Sequence, residues 1–375
     1  MLQQQSYTGR RVIPSDLADT PCTNLRIIGV LDKFNVALST SYTLDRSPVL
    51  KSFLESCIEN NYDFRTAYAH FHPTSHLYNI AYELGEHEVK HTKDRGMREE
   101  VLCDHRISMR EVPPQHVWDL RANRVVPYWL VDNKPWGISH AWVDEKDCKE
   151  VWTPINGYEW PVPMPKDADL KLIRIEMLNE GADYAWLDVL CLRQKYDVRE
   201  EHLEEDHHRD NLHVEEWKLD VPTIGYVYEC SPCVVYYLNG LGQPLSVTPR
   251  YFKSDRCWFN RAWTLQETGG IIFIGGDTGD DRLRARFYEK LKLLQDMHPC
   301  YSVGKLLSEM QKWVSTYPVD RVAGLVYCLR SSYIPIYDAE QSEECAWVEL
   351  MNAMEYSSSR PLLFCHPEPG SGSKF

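Results

Sequence analysis

Tyr184-Ala185-Trp186-Leu187-Asp188-Val189-Leu190-Cys191-Leu192 is an apolar run interrupted by a single carboxylate, and it reads as a fully buried strand. Just upstream, Asp167 is placed to cap a helix whose Leu170, Ile173, Met177 and Leu178 share one face and which stops at Gly181. Before that helix, residues 126–131 and 137–143 are short apolar runs of strand type, separated from it by a Trp/Pro/Gly-rich loop over 144–166. Strand, amphipathic helix and buried strand make a βαβ unit, whose crossover builds a parallel sheet. Downstream the cycle repeats with a short helix ending near Glu229, a strand over 234–238, a helix over 257–268 and a strand over 271–274. The expected fold class is α/β, a doubly wound, mainly parallel sheet in which the 184–192 and 234–238 strands are adjacent and buried.

The flanks read differently. Residues 1–124 form an expected N-terminal, mostly helical segment, in which Ser47-Pro48 supplies an N-cap and an N1 proline to a helix carrying Leu50, Phe53, Leu54, Cys57 and Ile58 on one face. The charged stretch 93–114, closing on Pro113-Pro114, reads as a linker into the 125–278 core. Residues 279–375 form a C-terminal helical extension with three apolar stripes: Leu283, Phe287, Leu291 and Leu294, then 303–314, then Trp347, Leu350, Met351 and Met354. The tail over 367–373 has linker composition and is expected to continue beyond Phe375.

Hydrophobic content of 43% places the chain among globular proteins, and a formal charge of -14 without a basic block argues against a nucleic-acid partner. The 12 cysteines show no framework spacing and read as reduced thiols, Cys230 and Cys233 of the lone C-x-x-C included. With a polar N-terminus and no membrane-length apolar run, the expected location is cytoplasmic. His70, His72, His76, His87 and His91 match no metal spacing, and the His-rich stretch 202–213 lacks a regular ligand interval, so no metal site is expected.

Ligands of open parallel sheets bind beyond the carboxyl ends of the strands, near the point where strand order reverses. Three segments carry polar residues there: Ser139-His140-Ala141-Trp142; Asp188 with Arg193-Gln194; and Arg261-Ala262-Trp263-Thr264-Leu265-Gln266-Glu267. On a helix, Trp263 and Glu267 would share a face and line a pocket, the plain alternative being a core indole and a solvated carboxylate. Asp188 inside an apolar strand needs either a partner such as Arg261 or a ligand. Cys191, flanked by leucines, reads as a packed thiol rather than a nucleophile.

Taken together, "ISHAW", "YAWLDVLCLRQ" and "NRAWTLQE", in that order over residues 125–275, resemble the three blocks of fungal HET (heterokaryon incompatibility) domains. "YPVDRVAGL" and "PIYDAEQSEECAW" look like the flanks of such proteins. The resemblance implies a role in programmed cell death on non-self recognition, and a distant likeness to TIR domains. TIR proteins that cleave NAD carry a W-x-x-x-E helix with a catalytic Glu, and Trp263 and Glu267 match that pair. By resemblance, Glu267 is the expected catalytic residue of an NAD glycohydrolase (NADase)-like hydrolase, with Ser139, His140, Trp142, Asp188, Gln194, Arg261 and Trp263 binding substrate. NAD would be substrate, not cofactor; the partners implied are a nucleotide small molecule and further copies of the chain. Two positions depart from the family pattern, Val143 where a glycine usually follows the block-one Trp and Arg193 where the second block usually has Asn. The alternatives are a non-enzymatic signalling or self-assembly module, or an enzyme using the same cleft on another small molecule.

Overall fold

The computed structural model describes residues 1–375 apart from 5, 10, 76–79, 144, 195–211, 248–250, 254–256, 298–313, 316, 330 and 355–375. His76, most of the His-rich 202–213 stretch, the 303–314 stripe up to 313 and the linker-like tail fall outside the described residues.

Six strands form the central sheet: β1 (His116–Asp119), β2 (Arg124–Pro127), β3 (Trp136–His140), β4 (Tyr184–Leu187), β5 (Cys233–Tyr237) and β6 (Ile271–Ile274). Their order is β6-β5-β3-β4-β1-β2. The four strands from β6 to β4 run parallel, and the β1/β2 hairpin joins antiparallel to β4. The fold is therefore α/β with a mainly parallel sheet. From β3 the chain steps to β4, then returns across β3 to β5 and moves outward to β6, so the reversal point lies between β3 and β5. There Ser139 pairs with Tyr236 and His140 with Tyr237.

Several expectations need correction. The 184–192 and 234–238 segments are buried but not adjacent, because β3 lies between them. Strand β4 covers only 184–187, and Asp188 opens a single helical turn, its carboxylate accepting from the Val189 N–H at 2.8 Å. A carboxylate favours such a helix start over a ladder position. Of the 126–131 run only the start is strand: Pro127, which has no N–H to donate, ends β2 and a 3₁₀ turn follows. Nor is 93–114 a linker, since a helix runs through His87–Val101, where Arg98 pairs with Asp94 (3.2 Å) and with Asp220 (2.8 Å).

Around the sheet, the N-terminal helices are α1 (Cys22–Leu38), α2 (Pro48–Glu59), α3 (Phe64–Phe71) and α4 (His87–Val101). The Ser47 hydroxyl caps α2 at Leu50 N, as its Ser-Pro start predicts. The crossover elements are α5 (Leu170–Glu180), α6 (Asp188–Cys191) and α7 (Ile224–Cys230). Asp169, not Asp167, caps α5, and Gly181 ends it in the left-handed conformation at φ 100°. C-terminal to the sheet come α8 (Asp281–Met297), α9 (Asp320–Val326) and α10 (Glu343–Ala353). Strand β1 already belongs to the sheet, and Ile107 pairs with Ile334, so the two flanks are tied to the core and to each other. The core is aromatic, with Trp118, Trp186, Trp258, Tyr228, Tyr236 and Tyr237 fully buried. No disulfide joins two of the described cysteines, and among the described residues no helix is long and apolar enough to cross a membrane.

Candidate active site

Strand β3 delivers the first two residues of the site. Ser139 and His140 end it, both buried, beside the carboxyl end of β5. The Ser139 hydroxyl donates to Glu267 Oε2 at 2.5 Å and accepts from the Trp258 indole N–H at 2.7 Å. The indole thereby fixes the direction in which the hydroxyl donates. Directly after β4, Asp188 Oδ1 lies 2.9 Å from His140 Nε2. Residues 128 and 48 positions apart in sequence thus meet in two linked dyads, Ser139–Glu267 and His140–Asp188.

The segment carrying Glu267 is not the expected helix over 257–268. It forms two 3₁₀ turns, Trp258–Asn260 and Ala262–Leu265, with Arg261 extended between them. Val314 accounts for the break: it donates to Asn260 O (2.7 Å) and accepts from Ala262 N (3.2 Å), occupying groups a continuous helix would need. Trp263 and Glu267 therefore do not stack one turn apart, and Trp263 packs against Tyr337 with ring centroids 6.3 Å apart. Beyond the turns, Tyr236 OH donates to Glu267 O at 3.1 Å, which pins the backbone over the sheet. Gly269 and Gly270 then pass against the end of α7. A Cβ on Gly270 would lie 2.4 Å from Ser231 O, and its φ of +47° is left-handed.

Packing leaves the charges of this cluster only partly compensated. Glu267 keeps some solvent access but is densely surrounded by protein, and this desolvation pushes its carboxyl up to about 7. The Asp188 charge adds to the rise, while the Ser139 hydrogen bond, His140 and Arg261 oppose it. For His140, burial disfavours the imidazolium, but Asp188 and Glu267 outweigh it and raise the ring above its usual value. Burial pulls Arg261 down, with Glu267, Asp188 and Asp320 pulling the other way. At neutral pH a proton is thus easily moved on or off Glu267, beside an imidazole whose charged form the two carboxylates favour.

Of the residues expected to bind substrate, Ser139, His140, Asp188 and Arg261 surround Glu267, and Trp142 adjoins them, its ring 5.5 Å from that of His140. Two fall elsewhere. Trp263 turns toward Tyr337, and Gln194 bonds its own neighbour Leu192 O at 2.9 Å. Burial pushes the Cys191 thiol up to about 12, so it is a packed thiol. Arg193 and Val143 each meet defined neighbours. Arg193 lies 4.9 Å from the Trp160 ring and pairs with Glu159 (3.2 Å) and Glu216 (3.1 Å). Val143 approaches Gly240, where an added Cβ would sit 3.0 Å away, so the small residue stands on the opposite loop.

Sequence reasoning passed over Trp258, Tyr236 and Asp320. Trp258 lies three residues before Arg261 in an aromatic pair, Trp258-Phe259, that reads as ordinary core. Asp320 lies within "YPVDRVAGL"; Tyr337 OH (2.8 Å) and Tyr317 N (3.0 Å) donate to it. Helix α9 packs on the Ala262–Leu265 turn, with Gln266 Nε2 donating to Ala323 O at 2.7 Å. Among the described residues, no three His, Cys, Asp or Glu side chains are placed to hold a metal. No protein-family model, curated protein or solved structure matches the chain.

Proposed function

We propose that the chain is a HET-type cell-death effector whose TIR-like core hydrolyses the nicotinamide–ribose bond of NAD or a related nucleotide. The observation that carries this reading is the junction of Ser139–Glu267 and His140–Asp188 at the carboxyl ends of adjacent parallel strands. The strand order supports it as well. Taken alone, the parallel strands in chain order run 2-1-3-4, the beginning of the flavodoxin-like order, whose ligands lie at the reversal between the first and third strands.

In the reaction the C1′–N bond breaks and nicotinamide leaves with the bonding pair. Positive charge builds on the ribose, and water closes on C1′, giving ADP-ribose, nicotinamide and a proton. Glu267, when ionised, stabilises the ribosyl cation; Ser139 and Trp258 hold its carboxylate in one orientation. Asp188 fixes the His140 ring beside it. Incubating purified protein with NAD over a wide concentration range, with and without a crowding agent, and separating the products tests this reading. Nicotinamide release by the wild type and its loss in Glu267→Gln are expected; no release under any condition removes the hydrolase reading.

A second reading, self-assembly, is favoured by the edge strand β6, on which Ile271 is 63% exposed. Ile271→Lys would then lower the sedimentation coefficient of concentrated protein, whereas an unchanged coefficient counts against edge pairing.

A further inference from the structure

Arg261 has no ion-pair partner within 4 Å among the described residues. Three carboxylates lie close enough to act on it electrostatically, and each is engaged elsewhere. Glu267 accepts from Ser139, Asp188 from His140 and Val189 N, and Asp320 from Tyr337 OH and Tyr317 N. Its backbone, by contrast, is fixed: the Trp258–Asn260 turn closes onto its N–H, Thr264 Oγ1 donates to its carbonyl at 2.7 Å, and Val314 bonds both neighbouring residues. Arg261 is half-buried, so its guanidinium loses part of its hydration without gaining a bonded anion, and an anionic ligand reaching it from solvent would compensate that loss. Across the cluster, Trp142 is 37% exposed, although the three residues before it are buried. His140, itself held by Asp188, backs this indole with the rings 33° from parallel.

We propose that Arg261 and Trp142 are the two ends of a nucleotide subsite, the guanidinium taking a phosphoryl oxygen next to the reacting ribose and the indole stacking a planar base. This rests on the hydrolase reading for the position of the ribose and assigns the two residues that would hold the phosphate and the base on either side of it. Arg261 suits the phosphate because its planar fork can hold two oxygens at once, and the free indole face suits any aromatic base.

Binding is measured on the full chain with ADP-ribose, which carries the phosphates but no scissile base, following tryptophan fluorescence and calorimetry, with inorganic pyrophosphate as competitor. Expected are competition by pyrophosphate, at least a tenfold weaker affinity in Arg261→Gln, partial recovery in Arg261→Lys, and a falling kcat/KM ratio of NAD over nicotinamide riboside in Arg261→Gln. Trp142→Ala should remove most of the quenching. Equal ADP-ribose affinity in wild type and a folded Arg261→Gln overturns the proposal. If that variant does not fold, failure of pyrophosphate to compete in the wild type overturns it instead. Binding that depends on Arg261 without nicotinamide release keeps the subsite and removes the hydrolase; release with binding indifferent to Arg261 does the reverse.

Discussion

Two glutamates are drawn into the carboxyl side of the same sheet and treated in opposite ways. Glu176 on α5 is buried and accepts from Gln4 Nε2 (2.6 Å), Tyr237 OH (2.8 Å) and Gly276 N (2.7 Å), tying the N-terminus, β5 and the loop after β6 together. Glu267 has one side-chain donor, Ser139, and an acidic neighbour in Asp188. A carboxylate supplied with three donors is part of the frame. One that is desolvated with a single donor is a candidate for chemistry, because its charge is held at a cost.

Substituting each glutamate by glutamine sharpens that contrast most. Glu267→Gln is expected to lower turnover on the order of 100-fold or more while leaving the denaturation midpoint at neutral pH unchanged or raised. Glu176→Gln is expected to lose about 2–3 kcal/mol of stability by weakening three charge-assisted hydrogen bonds, with activity falling only as folded protein is lost. Urea denaturation with parallel product assays reads both. If Glu176→Gln abolishes turnover in fully folded protein, the division between frame and site is wrong.

Comparable in size is the effect of the backbone that sets Glu267 in place. Gly270→Ala would bring a Cβ to 2.4 Å from Ser231 O and 2.5 Å from Pro232 O at a left-handed φ. A loss of about 3 kcal/mol is expected from combined strain and overpacking. A melting temperature equal to wild type would mean that the glycine pair does not fix the approach to β6. Smaller again, Asp188→Asn removes the charge that raises His140, so the ring should titrate below its present value, with roughly 1–3 kcal/mol of stability lost. Imidazole proton shifts followed by NMR report that directly; a titration midpoint that does not fall shows that Asp188 does not set the charge of His140.

The contrast between the glutamates also marks where the sequence can be read. The parallel strands were legible because β3, β4, β5 and β6 are short apolar runs, and the site residues Ser139, His140, Asp188 and Glu267 were legible as polar groups at their ends or in the motif blocks. Periodicity could not supply strand order, which depends on a crossover returning past β3. Nor could it show that Val314 breaks the helix expected over 257–268, because that competition comes from a distant backbone. Glu176 is absent from the apolar face of Leu170, Ile173, Met177 and Leu178 that the sequence shows; only Gln4, Tyr237 and Gly276, brought from three other segments, account for its burial. Local patterns thus reveal which residues have chemistry to offer, while their partners depend on tertiary structure.

The smallest expected effect is a pH dependence, and its sign follows from two groups. Glu267 titrates at about 7 in the folded chain, against a usual glutamate value of about 4.5. Below the lower value the carboxyl is protonated in both states and costs nothing; between the two the folded state binds the proton more tightly; above about 7 both states are ionised and the fold carries a crowded charge. Its contribution therefore worsens as pH rises from about 4.5 to 7. His140, raised by Asp188, contributes stability that is fully present below about 6.5 and is lost as pH rises through its folded value. Both slopes have the same sign, and Glu267→Gln removes the first. The stability of wild type relative to this variant should consequently fall between pH 5 and 7.5, by about 2 kcal/mol at most after allowance for partial solvent access. Turnover should rise over the same interval as Glu267 ionises. Urea denaturation of both proteins at half-unit pH steps measures the first trend and initial rates the second. A difference that stays flat, or that moves in favour of wild type with rising pH, would mean that Glu267 is as well satisfied as Glu176 and that the cluster is frame rather than site.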